Sequence, residues 1–600
     1  MAAGATMLPF GCKNDAVLEI LDPLYYPPSL TGLRGSHPGS NSHSHAKAWT
    51  GKSNWGSTVK LEESYDLIVV GGGISGLSAA YFYQQKYGKD KKVLILDNHD
   101  DFGGHAKRNE HTVEGKLRLG HGGSQSIVEP KHASKAVKAL FKDIGVDTKR
   151  FDNGAYDKDF YKRHNLGAVT YFNKDVFGEN KVVKHPYCNY PNYIEGIIMS
   201  GKISNVEAAQ QAPLSEKGKE QLLRVLNGGL HAIDVPKEKL QEYIRNTSYF
   251  DYLKNTLGVD DLGVLRMARH SGLDWASSGT DVMSIAGAKS CGALGFSPKA
   301  VYDEETPYIY HFPDGNASVA RAIVKHMIPT IAKGNNAEEL VLSKFKYAEL
   351  DRSRNTVRIR LNSTVVNVKH DGNPKEANTV LVNYINDNKS YQVKSNNVVM
   401  ACYNMMIPYI VTGLPEEQAA ALRLQTKCPL QYTTVGLKNW KAFKEMEIGL
   451  AMSPGNMHQA VFMDFPVSIG GYEFTKTPDD PCVIQMISCP YGETIGSPKL
   501  EQYKEARYKM LSLQFKDYEE EIRKHLNGML PRSLFDFDKN VESISVNRWA
   551  HGYTVGGPDD SVIKGRQPFG RITIANCDSA SEADAKAAID MAERAVNELG

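Results

Sequence analysis

The strongest pattern of apolar and polar residues lies near the start of the chain, in the stretch YDLIVVGGGISGLSAAYFY. An apolar run over residues 67–70 leads directly into three glycines, and a helical pattern then extends from about Ile74 to Gln85. A second apolar run, KKVLILDN, covers residues 91–98. A strand, a helix and a second strand in such close succession predict a βαβ unit, whose two strands are parallel.

The rest of the chain alternates between mixed and regular segments. Residues 136–300 combine helical stretches with irregular ones, and a turn followed by a helix is predicted over residues 312–334. Alternating polar and apolar residues predict strands in NTVRIRLNSTVVNVKHDG and NTVLVNYIN, and NNVVMACY is typical of a buried strand. GRITIANCD then predicts a strand and a turn, and EADAKAAIDMAERAVNEL predicts an amphipathic helix that begins near Glu582.

Length and charge narrow the class of protein. A chain of 600 residues is too long for one simple core, so two or three domains are expected. The 71 basic and 69 acidic residues give a formal charge of +2, which does not favour nucleic-acid binding. No run of 18 apolar residues predicts a transmembrane span. The eight cysteines form no CxxC pair, which argues against a zinc ribbon or a thioredoxin-like site.

The glycines after the first strand predict a phosphate-binding turn. Gly71, Gly73 and Gly76 form the pattern G-x-G-x-x-G between a strand and a helix. The first glycine permits the tight turn, the second lets a pyrophosphate approach the backbone, and the third lets the helix pack closely on the strand. Asp97, at the end of the second strand, would accept hydrogen bonds from the adenosine ribose.

Three further segments resemble the flavin amine oxidases and favour FAD over NAD. NHDDFGGHAKRN contains the glycine pair of that family, GRITIANCD and the helix after it are similar to the segment that closes over the flavin pyrophosphate, and LNSTVVNV is similar to the adenine-binding segment. GHGGSQSI replaces the usual glycine-rich flavin contact, and His105 replaces the usual arginine. The resemblance implies these FAD contacts: Gly71, Gly73, Gly76, Asp97, Gly103, Gly104, His105, Gly122, Gly123, Ser124, Val365, Asn576, Asp578 and Ala583.

The N-terminal arm narrows the resemblance. YYPPSLTGLRGSHPGS at residues 25–40 and FPDGNASVAR at residues 312–321 closely resemble the bacterial spermidine dehydrogenases. That family implies an exported, periplasmic enzyme that contains FAD and haem b, oxidises polyamines and passes electrons to an external acceptor. The first residues, MAAGATMLPFGCKNDA, resemble the tail of an export signal.

The resemblance also suggests the residues of the reaction site. Trp549 and Tyr553 in NRWAHGY resemble the aromatic wall of the family, and His551 between them is a candidate polar group. Aromatic faces also favour cationic ligands. Candidate acidic anchors for a remote amine are Asp281, Asp464 and Glu473.

A haem iron would need an imidazole ligand, and its propionates would need basic partners. His37 is the first choice as ligand and His45 the second, with Arg34 close by in the sequence.

The sequence therefore predicts an α/β protein with a two-dinucleotide-binding, Rossmann-like FAD domain, an interleaved α+β substrate domain and an irregular arm. The arm is assigned to residues 1–60, the FAD domain to 61–135, 305–404 and 541–600, and the substrate domain to 136–304 and 405–540. The leading function is an FAD- and haem-dependent polyamine dehydrogenase. The alternatives are a flavin-only oxidase of amines or amino acids, a desaturase-like flavoprotein, and a non-catalytic haem electron-transfer protein with a degenerate flavin site.

Overall fold

A computed structural model describes residues 22–186, 203–270, 277–296, 309–557 and 559–599. The export-like segment at the N-terminus lies outside the described residues. Two large sheets dominate the described part, and strands and helices are numbered below along the chain.

The first sheet has seven strands and contains the βαβ unit predicted from the sequence. Its order is β8-β3-β2-β11-β10-β9, with β17 beside the end of β11. The pairs among β8, β3, β2, β11 and β17 are parallel, and β10 and β9 continue the sheet antiparallel. The strands are β2 (Thr58–Val70), β3 (Val93–Leu96), β8 (Val357–Arg360), β9 (Thr364–His370), β10 (Val380–Asn386), β11 (Lys389–Met400) and β17 (Ile572–Ile574).

The second sheet has eight strands in the order β1-β16-β12-β15-β14-β13-β6-β7. Its strands are β1 (Gly32–Gly35), β6 (Gly167–Phe172), β7 (Lys181–Lys184), β12 (Lys427–Leu437), β13 (Ile448–Met452), β14 (Ala460–Met463), β15 (Cys482–Ser488) and β16 (Val541–Thr554). A hairpin of β4 (Arg108–Val113) and β5 (Lys116–His121) packs beside this sheet.

Two strands extend the second sheet in ways that local patterns did not indicate. The arm contributes β1, which pairs in parallel with residues 545–548 of β16. Residues 541–554, assigned from the sequence to the FAD domain, form β16 and lie in the second sheet. Because β16 leads into the C-terminal strand β17 of the first sheet, this segment joins the two sheets.

The helices surround both sheets, and one helical group builds its own core. The helices are α1 (Ser42–Thr50), α2 (Ile74–Tyr87), α3 (Lys135–Asp143), α4 (Phe160–Arg163), α5 (Lys174–Phe177), α6 (Asn205–Gln211), α7 (Glu216–Leu226), α8 (Lys237–Asn246), α9 (Tyr249–Asp251), α10 (Leu262–His270), α11 (Ile285–Ser290), α12 (Ala317–Met327), α13 (Ile407–Ile410), α14 (Glu416–Arg423), α15 (Lys441–Glu445), α16 (Lys499–Ser512), α17 (Phe515–Met529), α18 (Phe537–Asn540), α19 (Asp559–Gly565) and α20 (Ala585–Asn597). Helices α6 to α11 share a separate hydrophobic cluster, whereas one large cluster joins the two sheets. In the described ranges, no helix has the length and apolar character needed to cross a membrane.

Candidate active site

The carboxyl ends of four parallel strands meet at one edge of the first sheet. There, β2 leads into Gly71, β3 into Asp97, β11 into Ala401 and β17 into Ala575. In open α/β sheets this edge is where ligands bind. The topology therefore brings together the first glycine turn and the C-terminal segment, where Ser75 and Asn576 are hydrogen-bonded although they lie 501 residues apart in the sequence.

The three glycines of the first turn meet three different steric requirements. Gly71 has φ +112°, in the left-handed region, and a Cβ there would lie 2.7 Å from the Ala401 carbonyl oxygen. A Cβ on Gly76 would lie 1.8 Å from the Gly71 carbonyl oxygen, so the helix could not approach the strand. A Cβ on Gly73, by contrast, would come no closer than 3.8 Å to Gly104 Cα, so space is open in front of it.

The second glycine pair completes the same turn. The backbone N–H of Gly103 donates to the carbonyl oxygen of Gly72 at 2.8 Å, and Gly73 and Gly103 form an isolated β-bridge. Both Gly103 and Gly104 have positive φ values, +98° and +58°. The two glycine segments thus form one surface without side chains, as a phosphate-binding turn requires.

Asp97 has a structural task beside the ribose contact predicted for it. Its carboxylate accepts the N–H of Gly72 at 2.6 Å and the N–H of His99 at 2.8 Å. Burial raises the pKa of this carboxyl even though both hydrogen bonds favour ionisation. Asp97 lines the cavity described next, and the ribose contact stays a prediction.

A cavity of about 430 Å³ opens at this edge, between the two sheets, and is called here the central cavity. Its volume lies in the range of small-molecule sites. Gly76, Gly122 and His37 do not line it. The predicted residues that do are Gly71, Gly73, Asp97, Gly103, Gly104, His105, Gly123, Ser124, Val365, Trp549, His551, Tyr553, Asn576, Asp578, Ala583 and His45.

The second sheet supplies an aromatic wall to the central cavity. Trp549 and Tyr553 come from β16, and Tyr432 on β12 and Tyr403 after β11 add two more rings. The Trp549 indole N–H donates to the Gly122 carbonyl oxygen at 2.6 Å, which fixes the ring. Sequence reasoning missed Tyr432 and Tyr403. Their positions depend on how β12 of the second sheet and β11 of the first sheet are placed relative to each other.

The GHGGSQSI segment packs tightly behind this wall. A Cβ on Gly122 would lie 2.2 Å from the side-chain oxygen of Asn547, and a Cβ on Gly123 would lie 2.3 Å from the His105 carbonyl oxygen. Gly122 is therefore a packing residue in the described structure, and Gly123 and Ser124 face the cavity.

Two of the histidines that line the cavity, His105 and His551, are held in the neutral form. Burial and the nearby Lys427 lower the pKa of His105 to about 3, and its Nε2 lies 3.1 Å from the Tyr403 hydroxyl. Burial, with positive groups nearby, lowers the pKa of His551 far below its ordinary value. Neither imidazole therefore adds positive charge to the cavity near neutral pH.

A buried lysine is the main feature of the cavity that sequence reasoning missed. Lys427 Nζ lies 2.6 Å from Asp578 Oδ1, and both side chains are about 1% exposed. Burial alone would lower the pKa of Lys427, but the Asp578 carboxylate outweighs it and raises this pKa above its ordinary value. The one signal in the sequence was a lysine at the start of the apolar strand KCPLQYTTV.

The C-terminal segment reaches the cavity in a slightly different form from the predicted one. Asn576 has φ +82°, and its side chain accepts the N–H groups of Asp578 and Ser579 and donates to the Cys402 carbonyl oxygen. The last helix begins at Ala585 rather than near Glu582, and the Asp584 carboxylate already accepts the N–H of Lys586. The N–H of Lys586 is thus already hydrogen-bonded within the chain.

The two predicted haem ligands, His37 and His45, have different neighbouring residues. His37 Nδ1 lies 3.1 Å from the Pro38 carbonyl oxygen, and its Nε2 accepts the N–H of Asp100 at 3.3 Å. His45 stacks on Trp49, with ring centroids 3.9 Å apart, and lines the central cavity. Arg34 is paired with Asp100 at 2.6 Å. In the described residues no three His, Cys, Asp or Glu side chains are grouped to hold a metal ion, and the contacts of His37 and His45 give the haem prediction no support.

The three acidic candidates occupy very different surroundings. Asp281 is paired with Arg269 at 2.9 Å, and Glu473 is 69% exposed and paired with Lys476 at 3.0 Å. Asp464 is buried between the hairpin and the second sheet, near His121. Of the three, Asp464 alone is a buried carboxylate without a basic Arg or Lys partner within ion-pair distance in the described structure.

The fold and the site define a dinucleotide-binding α/β protein. A family model described as an NAD(P)-binding Rossmann-like domain matches residues 69–144. No curated protein matches the chain. The chain is similar to wild-type putrescine oxidase bound to putrescine (14% identity, TM-score 0.49, 90% of this chain and 99% of the other) and to cyclohexylamine oxidase from Brevibacterium oxydans IH-35A (13% identity, TM-score 0.49, 89% and 98%).

Proposed function

We propose that this protein is an FAD-dependent oxidoreductase that oxidises amines, with linear polyamines as the favoured substrates. The observation that carries the proposal is the meeting of three separated segments at one cavity with an aromatic wall. The glycine turns, Val365 and the segment from Asn576 to Ala583 all line the central cavity opposite Trp549. A simple NAD site would not need the C-terminal segment.

The residues at the edge of the first sheet fit a dinucleotide. The open space in front of Gly73 would receive the pyrophosphate, and Asp97 would lie at the adenosine end. When bound, FAD accepts the hydride equivalent of the α C–H bond of an amine.

The cavity residues suit a neutral amine beside an uncharged wall. Trp549 and Tyr432 provide aromatic surface and exclude water, and His105 and His551 stay neutral because burial depresses their pKa values. Lys427 does not repel a cationic substrate strongly, since Asp578 neutralises it at 2.6 Å. These groups bind and orient the amine.

The direct test is the bleaching of the flavin by amines without oxygen. The purified protein is loaded with FAD, and a panel of a monoamine, a diamine, a triamine and several amino acids is added under anaerobic conditions. We expect the absorbance near 450 nm to fall with the triamine. An FAD-loaded protein that no amine bleaches would contradict the proposal and favour the non-catalytic alternative.

The choice between dehydrogenase and oxidase is a separate experiment. We propose transfer to an external acceptor, so an artificial electron acceptor should sustain turnover, and little hydrogen peroxide should form in air. Haem b stays a prediction, without support from the contacts of His37 or His45. A sharp Soret band in the purified protein would establish it. The periplasmic location also stays a prediction.

The rate of bleaching is expected to rise as the pH increases from 6 to 9. The reacting amine, with a pKa of about 10, must lose its proton before hydride transfer. Burial lowers the pKa of the His105 imidazole to about 3, so this ring is neutral between pH 6 and 9 and its titration does not affect the rate in that range. The measurement is the anaerobic single-turnover rate at saturating amine. A rate that is constant over this range, or that falls above pH 7, would contradict the assignment of a deprotonated amine as the reacting form.

A further inference from the structure

One helix of the arm forms a side of the central cavity that neither sheet supplies. It is α1 (Ser42–Thr50), and the residue before it, Asn41, lines the cavity together with Ser44 and His45. Residues at positions i, i+3 and i+4 share one face of a helix, so these three side chains belong to one face of α1. This face is called here the arm face. No residue of α1 is fully buried.

The arm face lies at the end of the cavity assigned to adenosine. Asn98 directly follows Asp97 in the sequence. Its side-chain amide donates to the Ser40 carbonyl oxygen at 2.7 Å and to Asn41 Oδ1 at 3.4 Å. Helix α1 also packs on β9, the strand that contains Val365. Asp97 and Val365 are the residues predicted to contact the ribose and the adenine, so α1 lies beside both contacts.

The polar groups of the arm face are free to bind a ligand. Asn41 is the N-cap residue of α1, but its side chain accepts no N–H group of the helix, which is the usual task of an asparagine there. In the described structure, the side-chain NH2 of Asn41 and the hydroxyl of Ser44 form no hydrogen bond. His45 differs from them, because its ring is stacked on that of Trp49 with the centroids 3.9 Å apart.

These free groups match the chemistry of adenosine. An asparagine amide can pair with adenine, since its oxygen accepts from the N6 amino group and its NH2 donates to N7. A serine hydroxyl can donate and accept, as the hydroxyls of a ribose can. Asn41 and Ser44 bring an amide and a hydroxyl to the cavity that Asp97 also lines.

Buried contacts hold the arm against the loop that follows β3. Arg34 donates to both carboxylate oxygens of Asp100, at 2.6 and 3.2 Å, and the two side chains are 5% and 13% exposed. Burial alone would raise the pKa of Asp100, but Lys107 and Arg34 outweigh it and lower this pKa well below its ordinary value. The Tyr25 hydroxyl donates to the Asp100 carbonyl oxygen at 2.5 Å. Because this loop begins at Asp97, its contacts with the arm fix α1 at the edge of the cavity.

We propose that the arm is a further cofactor-binding segment, in which Asn41 and Ser44 bind the adenosine half of the dinucleotide. The inference rests on the proposed function for the identity of the cofactor as FAD. The glycine turns, Val365 and the C-terminal segment contact the cofactor from the first sheet, and α1 closes the adenosine end from outside it. The arm therefore strengthens the binding of FAD through the half of the cofactor that FMN lacks.

The test compares ligands with and without adenosine. The full-length protein, freed of cofactor, is titrated with FAD and FMN by fluorescence quenching and with ADP by calorimetry. FMN carries the flavin without adenosine, and ADP carries adenosine without the flavin. In the double variant Asn41→Ala, Ser44→Ala, we expect the affinities for FAD and ADP to fall by about 10- to 50-fold, since two hydrogen bonds are lost. The affinity for FMN should not change.

Ser42→Ala is the matched control, because Ser42 belongs to the same helix but is exposed and does not line the cavity. It should leave all three titrations unchanged. Since the Asn41 side chain makes no capping hydrogen bond, the double variant should also keep the circular dichroism spectrum of the unaltered protein. If the double variant does not fold, Ser44→Ala alone replaces it, with an expected loss of about 3- to 10-fold for FAD and ADP only.

The outcomes separate this inference from the proposed function. Unchanged FAD and ADP binding in the variant, or an equal loss for FAD, ADP and FMN, would overturn the assignment of the arm face to adenosine, while amine bleaching of the flavin would still support the proposed function. An unaltered protein that binds ADP but no flavin would overturn the proposed function, and the ADP titration of the variant would still decide the role of Asn41 and Ser44. An unaltered protein that binds none of the three ligands would overturn both.

Discussion

The Gly73→Val variant is expected to fold and to lose FAD. The φ and ψ angles of Gly73 are −71° and 177°, which any residue adopts, so valine introduces no backbone strain. A Cβ at this position would have its nearest neighbouring atom 3.8 Å away, which is ordinary contact, so the Cβ itself causes no clash within the protein. The valine would instead occupy the space assigned to the pyrophosphate, and we expect FAD affinity to fall by more than about 100-fold.

The measurement is FAD binding by fluorescence quenching, beside the circular dichroism and melting temperature of the cofactor-free protein. Gly76→Ala is the contrasting variant, because its Cβ would lie 1.8 Å from the Gly71 carbonyl oxygen and must damage the packing of helix on strand. We therefore expect Gly76→Ala to lower the melting temperature, and Gly73→Val to leave it unchanged. A Gly73→Val protein that retains a full flavin spectrum would show that the phosphate assignment is wrong.

The second large effect is expected at the buried ion pair. Lys427→Met removes the partner of Asp578 and leaves a carboxylate that is about 1% exposed without its counter-charge. Removing one member of a buried pair costs about 3 to 5 kcal/mol, because the remaining charge has lost its solvation and is not compensated. We expect a clearly lower melting temperature and, since both residues line the central cavity, weaker FAD binding.

A double variant separates the effect of the lost ion pair from the effect of leaving the Asp578 carboxylate buried without a partner. Lys427→Met with Asp578→Asn leaves no unpaired charge, and it should recover much of the stability lost in the single variant. Lys217→Met is the control, since its ion pair with Asp260 at 2.8 Å is more than 60% exposed on both sides and should contribute little. Equal melting temperatures for Lys427→Met and the unaltered protein would contradict a stabilising role for this ion pair.

Part of the first sheet and of its carboxyl edge could be predicted from local patterns. The apolar runs predicted β2 and β3, and the glycine spacing predicted a turn that the structure places at the carboxyl edge of the first sheet. Such features can be predicted because they depend on a few neighbouring residues. The predicted helix that ends the chain was placed three residues early, near Glu582, whereas the observed helix begins at Ala585 and is capped by Asp584.

Other parts of the site had no local signature. Tyr432 reaches the cavity only because β12 pairs with β16, and the arm adds β1 to the same sheet at residues 545–548. The domain boundaries drawn along the sequence could not anticipate this, because strand pairing depends on register between distant segments. The predicted haem ligands were chosen because they lie in or near the family-like stretch of the arm, and the structure gives His37 and His45 separate contacts.

The sequence by itself determined the class of the first domain, the turn that would hold a dinucleotide and most residues of its edge, because backbone sterics and apolar periodicity are local. The tertiary structure alone decided the electrostatics. Lys427 and Asp578 are 151 residues apart and meet at 2.6 Å, and Asp464 is brought within 3.9 Å of His121. The pKa of a buried group depends on how far it is removed from water and on which charges lie beside it. Both depend on residues that are distant in the sequence, so they are fixed only in the folded chain.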